Sequence, residues 1–177
     1  MLPDIRDFFH FVDMTENYPF TGTGNVVKFC QGLARINILN RILVVLDNDT
    51  AGREAYVQLA KLNLPDTMRV AQLPALVHCR RVKTLGPSGI GYEDINDKAV
   101  SIECFLDIWT SEDEPTVRWT NYSQTLGAYH GALVQKETYV RAFFDRAKRQ
   151  RNYDFSGLSA LWNHLVEVCT AASSRKS

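Results

Sequence analysis

The sequence predicts an α/β fold, in which a parallel sheet is flanked by helices and is followed by a helical C-terminal extension. Strand-like and helix-like segments alternate through the first half of the chain, which is the pattern of β-α-β units. Right-handed crossovers between parallel strands then place the helices on the faces of the sheet. With 177 residues and 45% apolar content, the chain is long enough to bury a core of its own.

The segments of the first half follow from the spacing of apolar residues. The run Ile42–Leu46 is apolar throughout and mostly β-branched, which is typical of a strand buried on both faces. Helices are predicted where apolar residues recur every three to four positions. The predicted order is a strand over 8–12, a helix over 25–36, the strand over 42–46, a helix over 53–64 and a strand over 68–73.

The second half departs from this alternation. A loop with several glycines is predicted over 74–96, and its length indicates a functional or mobile segment. A helix is predicted over 97–109, with Glu103 near its middle, and an acidic break follows it. The remaining predicted elements are an extended piece over 116–120 and helices over 137–149 and 156–171.

Charge is unevenly distributed, although the formal net charge is zero. Residues 136–177 carry eight Lys and Arg against four Asp and Glu, whereas residues 1–135 carry 12 against 16. We therefore expect an α/β domain over 1–115 and a helical, basic extension over 116–177. A basic cluster of this kind can contact a polyanion, or it can be the solvated face of a helix. Its members are Arg141, Arg146, Lys148, Arg149 and Arg151.

The cysteines and the apolar runs indicate a reduced, cytoplasmic protein. The four cysteines are scattered without a CxxC pair, which predicts neither a zinc site nor a disulfide framework. No apolar run approaches the roughly 20 residues that span a bilayer, so we expect no membrane partner. The N-terminus lacks the basic-then-apolar order of a signal peptide.

The acidic turn Asp47-Asn48-Asp49 directly follows the predicted buried strand. Open α/β sheets bind their ligands just past the carboxyl ends of the strands. Two carboxylates one residue apart can both reach a hard cation such as Mg²⁺, which prefers oxygen ligands and keeps several waters. The same residue types also cap helices, because their side chains accept hydrogen bonds from backbone N–H groups. The turn therefore predicts either a metal site or the start of the next helix.

A glycine-containing loop precedes the first predicted helix. Gly22, Gly24 and Asn25 lie where backbone N–H groups can approach an anion at a helix N-terminus. The loop has neither the GxGxxG spacing of dinucleotide sites nor the Lys-Ser/Thr ending of a P-loop. A tight turn capped by Thr23 is the other interpretation.

Taken together, these motifs resemble a known family. The order of a strand, a GxGN loop opening a helix, and a second strand ending in DxD followed by Ala-Gly is similar to the Toprim domain. That domain occurs in topoisomerases, primases and the overcoming-lysogenization-defect nucleases. Over about residues 4–145, the chain resembles more closely the bacterial proteins called HEPN/Toprim-associated. The segments that carry this resemblance are 9–14, 18–25, 28–33 and 101–106.

The resemblance implies a Toprim/Rossmann-like sheet and a Mg²⁺-dependent nuclease, with Mn²⁺ as a substitute metal, that acts on nucleic acid in defence against phage. DNA is the expected substrate. Asp47 and Asp49 would be metal ligands and catalytic residues, and Glu103 would hold a second metal. Lys136 would contact the reacting phosphate, and the loop of Gly22, Gly24 and Asn25 would bind phosphate.

Other interpretations of these residues remain open. Glu103 is equally explained as an exposed helix carboxylate, and Lys136 as a surface lysine. Asp94 and Asp97 are further acidic candidates, although Asp97 also fits a helix N-cap.

One departure from the family affects the expected activity. Toprim domains begin with a strand that ends in a glutamate, and the sequence shows no such strand before the segment 8–12. Glu16 does not replace that glutamate, because it lies after the first predicted strand. We therefore expect that a second copy or a partner chain supplies the missing strand. A non-catalytic interaction or regulatory module is the second hypothesis.

Overall fold

The computed structural model describes residues 9–12, 22–36, 38–109, 114–149 and 153–171. These residues form a mixed α/β protein with four α-helices and three small sheets. The predicted α/β class is therefore confirmed. A single Rossmann-like parallel sheet is not clearly shown by these residues, because the two parallel strand pairs lie in separate sheets and one of these sheets also contains antiparallel hairpins.

The first half contains one β-α-β unit. In chain order its elements are α1 (Thr23–Arg35), β1 (Ile42–Leu46), β2 (Asn48–Asp49), α2 (Thr50–Ala60) and β3 (Met68–Gln72). Strands β1 and β3 pair in parallel along their whole length, as expected for two strands joined by a crossover helix. The predicted helices and strands of this region are confirmed, with boundaries shifted by a few residues.

A small apolar core stabilises this unit. It lies between α1, α2 and one face of the β1–β3 pair, and its fully buried members include Cys30, Ala55 and Leu59. Along β1, Ile42 and Val44 pack against this core, whereas Leu43 packs against a second core. Val45 remains 42% exposed, so the strand is only partly buried on its second face. This packing fixes where β1 ends and therefore where the acidic turn begins.

The second half contains five strands, four of which form a mixed sheet. The five strands are β4 (Val82–Gly86), β5 (Gly89–Glu93), β6 (Ala99–Val100), β7 (Thr116–Ser123) and β8 (Ala128–Leu133). The sheet order is β5-β4-β7-β8, with β4 and β7 parallel and the other two pairs antiparallel. The short strand β6 pairs instead with β2, next to the acidic turn.

Two predictions were wrong, one in this region and one near the N-terminus. The predicted loop over 74–96 contains the β4–β5 hairpin, whose two-residue connection ends at Gly89 with φ 98°. The extended piece predicted over 116–120 is confirmed as the first part of β7, which forms a second hairpin with β8, and the helices that follow begin at Lys136. The predicted strand over 8–12 is not formed at residues 9–12, where Phe9 and Phe11 pack on Trp162. Residue 8 lies outside the described residues.

The predicted helix over 97–109 was also wrong. Lys98 and Ala99 lie beside Asp49, and only one turn of 3-10 helix follows, at Ile102–Phe105. Asp97 adopts φ 63°, in the left-handed region that interrupts a helix. Pairing with β2 therefore overrides the local helical pattern of this segment.

The C-terminal helices complete the larger core. They are α3 (Lys136–Arg149) and α4 (Ser156–Thr170), close to the predicted ranges. Leu161 and Leu165 of α4 pack with Phe105, and Val117 of β7 belongs to the same buried cluster. Across the described ranges, no helix is long and apolar enough to cross a bilayer.

Candidate metal site

The acidic turn joins the carboxyl end of β1 to the first turn of α2. Asn48 is buried, and its Oδ1 accepts a hydrogen bond of 2.7 Å from the Asp97 backbone N–H. Asp49 is the N-cap of α2, because its Oδ1 accepts a bond of 2.6 Å from the Gly52 N–H. The helix-capping interpretation of Asp49 is therefore confirmed. The cap uses one carboxylate oxygen and leaves Oδ2 for another ligand.

Gly52 allows α2 to start this close to the end of β1. A Cβ at this position would lie 2.0 Å from the Asp47 carbonyl oxygen and 3.1 Å from Asp49 Oδ1. Real Cβ atoms do not approach backbone oxygen so closely, so only glycine fits here without displacing the turn. The backbone of α2 therefore holds both aspartates in place.

Asp47 lies in a partly buried and electrostatically strained position. Burial raises the pKa of its carboxyl to about 6, and the negative charges of Asp49 and Glu103 add to this effect. The Lys136 ammonium and a hydrogen bond from the Ile102 backbone oppose it. A carboxylate crowded by other carboxylates is ready to accept a cation, because the cation would relieve the repulsion.

Glu103 and Lys136 form an ion pair beside Asp47. Lys136 Nζ lies 3.3 Å from Glu103 Oε2, and the glutamate side chain is only 15% exposed. The Ser101 hydroxyl also donates to Glu103 Oε2, at 2.5 Å. Burial alone would raise the pKa of Glu103, but the Ser101 hydroxyl and the Lys136 ammonium outweigh it, so the pKa is lowered. Glu103 is therefore ionised and is not the exposed helix carboxylate of the other interpretation.

The structure thus brings together four of the predicted site residues. They come from the turn after β1, from the 3-10 turn that follows β6, and from the first turn of α3, and they are Asp47, Asp49, Glu103 and Lys136. A cavity of about 680 Å³ opens from Glu103 and Lys136 along α3 and is lined further by Arg141 and Phe144. Two members of the cluster, Glu103 and Lys136, therefore line an open cavity.

The predicted glycine loop is largely helical. Helix α1 begins at Thr23, so Gly24 and Asn25 lie in its first turn. Gly22, with φ 92°, is the N-cap of α1, and its carbonyl accepts hydrogen bonds from the Asn25 and Val26 N–H groups. No side chain caps this end, so the predicted Thr23 cap was wrong. A Cβ on Gly22 or on Gly24 would meet nothing within 4 Å. Phosphate binding by Gly22, Gly24 and Asn25 stays a prediction.

The two additional acidic candidates have structural roles. Asp94 Oδ1 accepts hydrogen bonds of 2.9 Å from the backbone and from the side-chain amide of Asn96. Asp97 begins no helix, so the N-cap interpretation was wrong. Its backbone N–H instead donates to Asn48.

The donor set is compatible with a magnesium ion that keeps most of its waters. In the part of the chain that the structure describes, no three or more His, Cys, Asp or Glu side chains are grouped closely enough to hold a metal by themselves. Mg²⁺ is commonly held by one or two carboxylates, water and substrate phosphate. Asp47 and Asp49 can supply such a pair, whereas Glu103 is already neutralised by Lys136.

The sequence analysis missed a second group of basic residues. The run His78-Cys79-Arg80-Arg81-Val82-Lys83 leads into β4, and its density of basic side chains is visible in the sequence. In the predicted C-terminal cluster, Arg141 and Arg146 are exposed on α3, and Arg146 forms an ion pair with Asp107. The side chains of Lys148, Arg149 and Arg151 lie outside the described part.

Comparisons of the chain with protein-family models, with curated proteins and with solved structures found no match. The resemblance to Toprim proteins therefore stays a prediction from sequence motifs. The function must be argued from the geometry of the cluster itself.

Proposed function

We propose that this chain carries a Mg²⁺-dependent site for hydrolysing phosphodiester bonds in nucleic acid, of the kind found in Toprim nucleases. The observation that supports the proposal best is the position of Asp47. It follows a parallel strand, its pKa is raised to about 6 by burial and by Asp49 and Glu103, and Lys136 lies among these carboxylates. Such pKa perturbations concentrate at functional sites.

In this proposal, Asp47 and Asp49 hold the cation through carboxylate oxygens, with Mn²⁺ able to replace Mg²⁺. When bound, the cation would neutralise charge on the scissile phosphate and lower the pKa of an attacking water. The cap fixes the direction of the Asp49 carboxylate without help from a ligand, and Gly52 lets the Asp47 backbone pack closely against α2. The protein therefore provides one oriented carboxylate, with Asp47 two residues before it in the same turn.

Lys136 orients the phosphate. Its side chain is 39% exposed and lines the cavity along α3, so the ammonium can face an incoming phosphate while it stays near Glu103. Glu103 restrains the lysine through the 3.3 Å ion pair, and Ser101 restrains Glu103. Glu103 is thus a positioning residue in this account, instead of the holder of a second metal that the family resemblance implies.

A non-catalytic interaction module is the second candidate function. It is favoured by the structural roles of the same groups, because Asp49 caps α2 and Glu103 is paired with Lys136 without any ligand. In that case the cluster stabilises the junction of β1, α2 and α3, and removing Asp47 would leave partner binding unchanged.

Cleavage assays separate the two candidates. We expect the chain, supplemented if required with a second copy or partner, to cut plasmid or single-stranded DNA with Mg²⁺ or Mn²⁺ but not with EDTA. In Asp47→Asn the rate should fall to the EDTA level, because a neutral amide is a poor ligand for a hard cation. The matched control is Asp66→Asn, the same change at an exposed turn before β3. Equal cleavage by Asp47→Asn and by the control would contradict the proposed function.

A further inference from the structure

A second concave surface lies beside β4 and shares no residue with the acidic cluster. This β4 groove has a volume of about 310 Å³. It is lined by His78, Arg81, Val82, Lys83, Trp109, Glu114 and Pro115. The groove combines basic side chains with aromatic rings, and the proposed hydrolysis uses none of them.

Two planar groups in the β4 groove are supported from behind by aromatic rings. The Arg81 guanidinium carbon lies 5.2 Å from the centroid of the Tyr92 ring. The His78 ring centroid lies 4.6 Å from the Trp109 ring centroid, with the two ring planes tilted by 45°, and the Trp109 indole is anchored because its N–H donates to the Cys104 carbonyl at 3.2 Å. Arg81 and His78 are both exposed residues. Each planar group thus contacts one aromatic ring and remains accessible to a further partner.

His78 acts here as a neutral ring. Burial lowers its pKa, although the charge of Asp154 partly opposes this effect. An uncharged imidazole at neutral pH can stack on a base without carrying a strongly bound hydration shell.

Positive charge extends from the groove along the outer face of the sheet. Side chains alternate along β4, so the buried Val82 and Thr84 face the core, whereas Lys83 and Leu85 face outward. Leu85 pairs with Arg118 of β7, which places Arg118 on the same outward face. Two described acids lie beside these basic groups: Glu114, which lines the groove 3.8 Å from Lys83, and Asp154, whose charge acts on His78. Arg81, Lys83 and Arg118 therefore outnumber these two acids.

We infer that the β4 groove binds single-stranded nucleic acid. One base stacks on the Arg81 guanidinium and a neighbouring base stacks on His78, which are both platforms that proteins use for unpaired bases. Lys83 and Arg118 contact the backbone phosphates. An acidic peptide would use the charges but not the supported planar groups. The inference does not depend on the acidic cluster, and it holds even if the chain never cuts.

Fluorescence anisotropy with a labelled oligothymidylate of about 15 nucleotides tests the inference. EDTA is present throughout, so that the readout is independent of any metal-dependent cleavage. We expect Arg81→Gln/Lys83→Gln to weaken binding and to lower the slope of log K against log[salt] by about 0.7, because Lys83 is the one of the two residues that contacts a phosphate. The matched control, Arg35→Gln/Lys61→Gln at exposed positions at the ends of α1 and α2, removes the same charge and should leave the affinity and the slope unchanged.

A second comparison separates stacking from charge. We expect an abasic oligomer of equal length to bind at least about fivefold more weakly than oligothymidylate, and Tyr92→Ala to reduce that difference. Circular dichroism establishes that each variant is folded. The inference is overturned if the Arg35→Gln/Lys61→Gln control loses as much affinity as the Arg81→Gln/Lys83→Gln variant. It is also overturned if the abasic oligomer or polyglutamate competes as well as oligothymidylate.

Discussion

Replacing Gly52 with alanine is expected to destabilise the chain by more than about 3 kcal/mol, the range of severe overpacking and backbone strain. The added Cβ would lie 2.0 Å from the Asp47 carbonyl oxygen, which is backbone and cannot rotate away. Helix α2 would have to move off the end of β1, and the hydrogen bond from Gly52 N–H to Asp49 would be lost with it. Urea unfolding followed by circular dichroism measures the effect.

Gly32→Ala in α1 is the matched control. It is also a helical glycine, but a Cβ there would meet nothing within 4 Å. Alanine is the better helix former, so this variant should be unchanged or more stable by up to about 1 kcal/mol. If Gly52→Ala were as stable as Gly32→Ala, the close contact between α2 and the acidic turn would be wrong.

Asp47→Asn is expected to stabilise the metal-free protein at neutral pH by about 3 kcal/mol. The ordinary pKa of the carboxyl is 3.8, and burial and the neighbouring carboxylates raise it to about 6 in the folded state. Between these values the folded chain keeps a proton that the unfolded chain releases, so stability is lost as the pH rises from about 4 to about 6. The side-chain amide of the Asp47→Asn variant is uncharged, so this variant does not lose stability over that pH range.

The difference between the variant and the wild type is therefore the quantity to measure. In EDTA, the difference in the free energy of unfolding between Asp47→Asn and wild type should be near zero at pH 4 and should reach its maximum above pH 6. The contributions of the other titrating groups are common to both proteins and cancel in this difference. Glu167→Gln, a charge-removing change at an exposed position of α4, should differ from wild type by less than about 0.5 kcal/mol at pH 7. A pH-independent difference for Asp47→Asn would show that its carboxyl is not perturbed.

Local sequence patterns sufficed for the β-α-β unit. The apolar run of β1, the helical spacing in α1 and α2, and the acidic N-cap are each encoded within a few residues. The same holds for α3, where the predicted and observed helices differ by one residue at the start. These elements also place Asp47 and Asp49, so the main part of the candidate site could be predicted.

The features that could not be predicted from the sequence depend on contacts between segments far apart in the chain. The segment around Asp97 and Ala99 has a helical pattern, but β2 pairs with it across about 50 residues of chain. Gly131 is a further example, because a Cβ there would lie 2.5 Å from both Ala99 Cβ and the Trp119 ring. No local pattern shows that this glycine serves the packing of β8 on β6. The ion pair of Glu103 with Lys136 likewise depends on that packing.

The N-cap role of Asp49 and the proposed metal role are compatible. The cap holds Oδ1 at 2.6 Å from Gly52 N–H, which orients the carboxylate as a ligand requires. The raised pKa of Asp47 indicates that the folded protein retains an unfavourable charge which a cation would neutralise. An ionised Asp47 therefore lowers the stability of the folded protein but would favour the proposed metal binding. Such a trade-off between stability and activity is common at functional sites.

Calorimetric titration with Mn²⁺ and Mg²⁺ at pH 7.5 tests the central claim, that Asp47 and Asp49 form a divalent-cation site. We expect the wild type and Asp66→Asn to bind the metal and to gain thermal stability from it, because a ligand that binds only the folded state stabilises that state. Asp47→Asn should show neither the heat of binding nor the gain. Absence of binding to the wild type at millimolar metal, or equal binding by Asp47→Asn, would contradict the account.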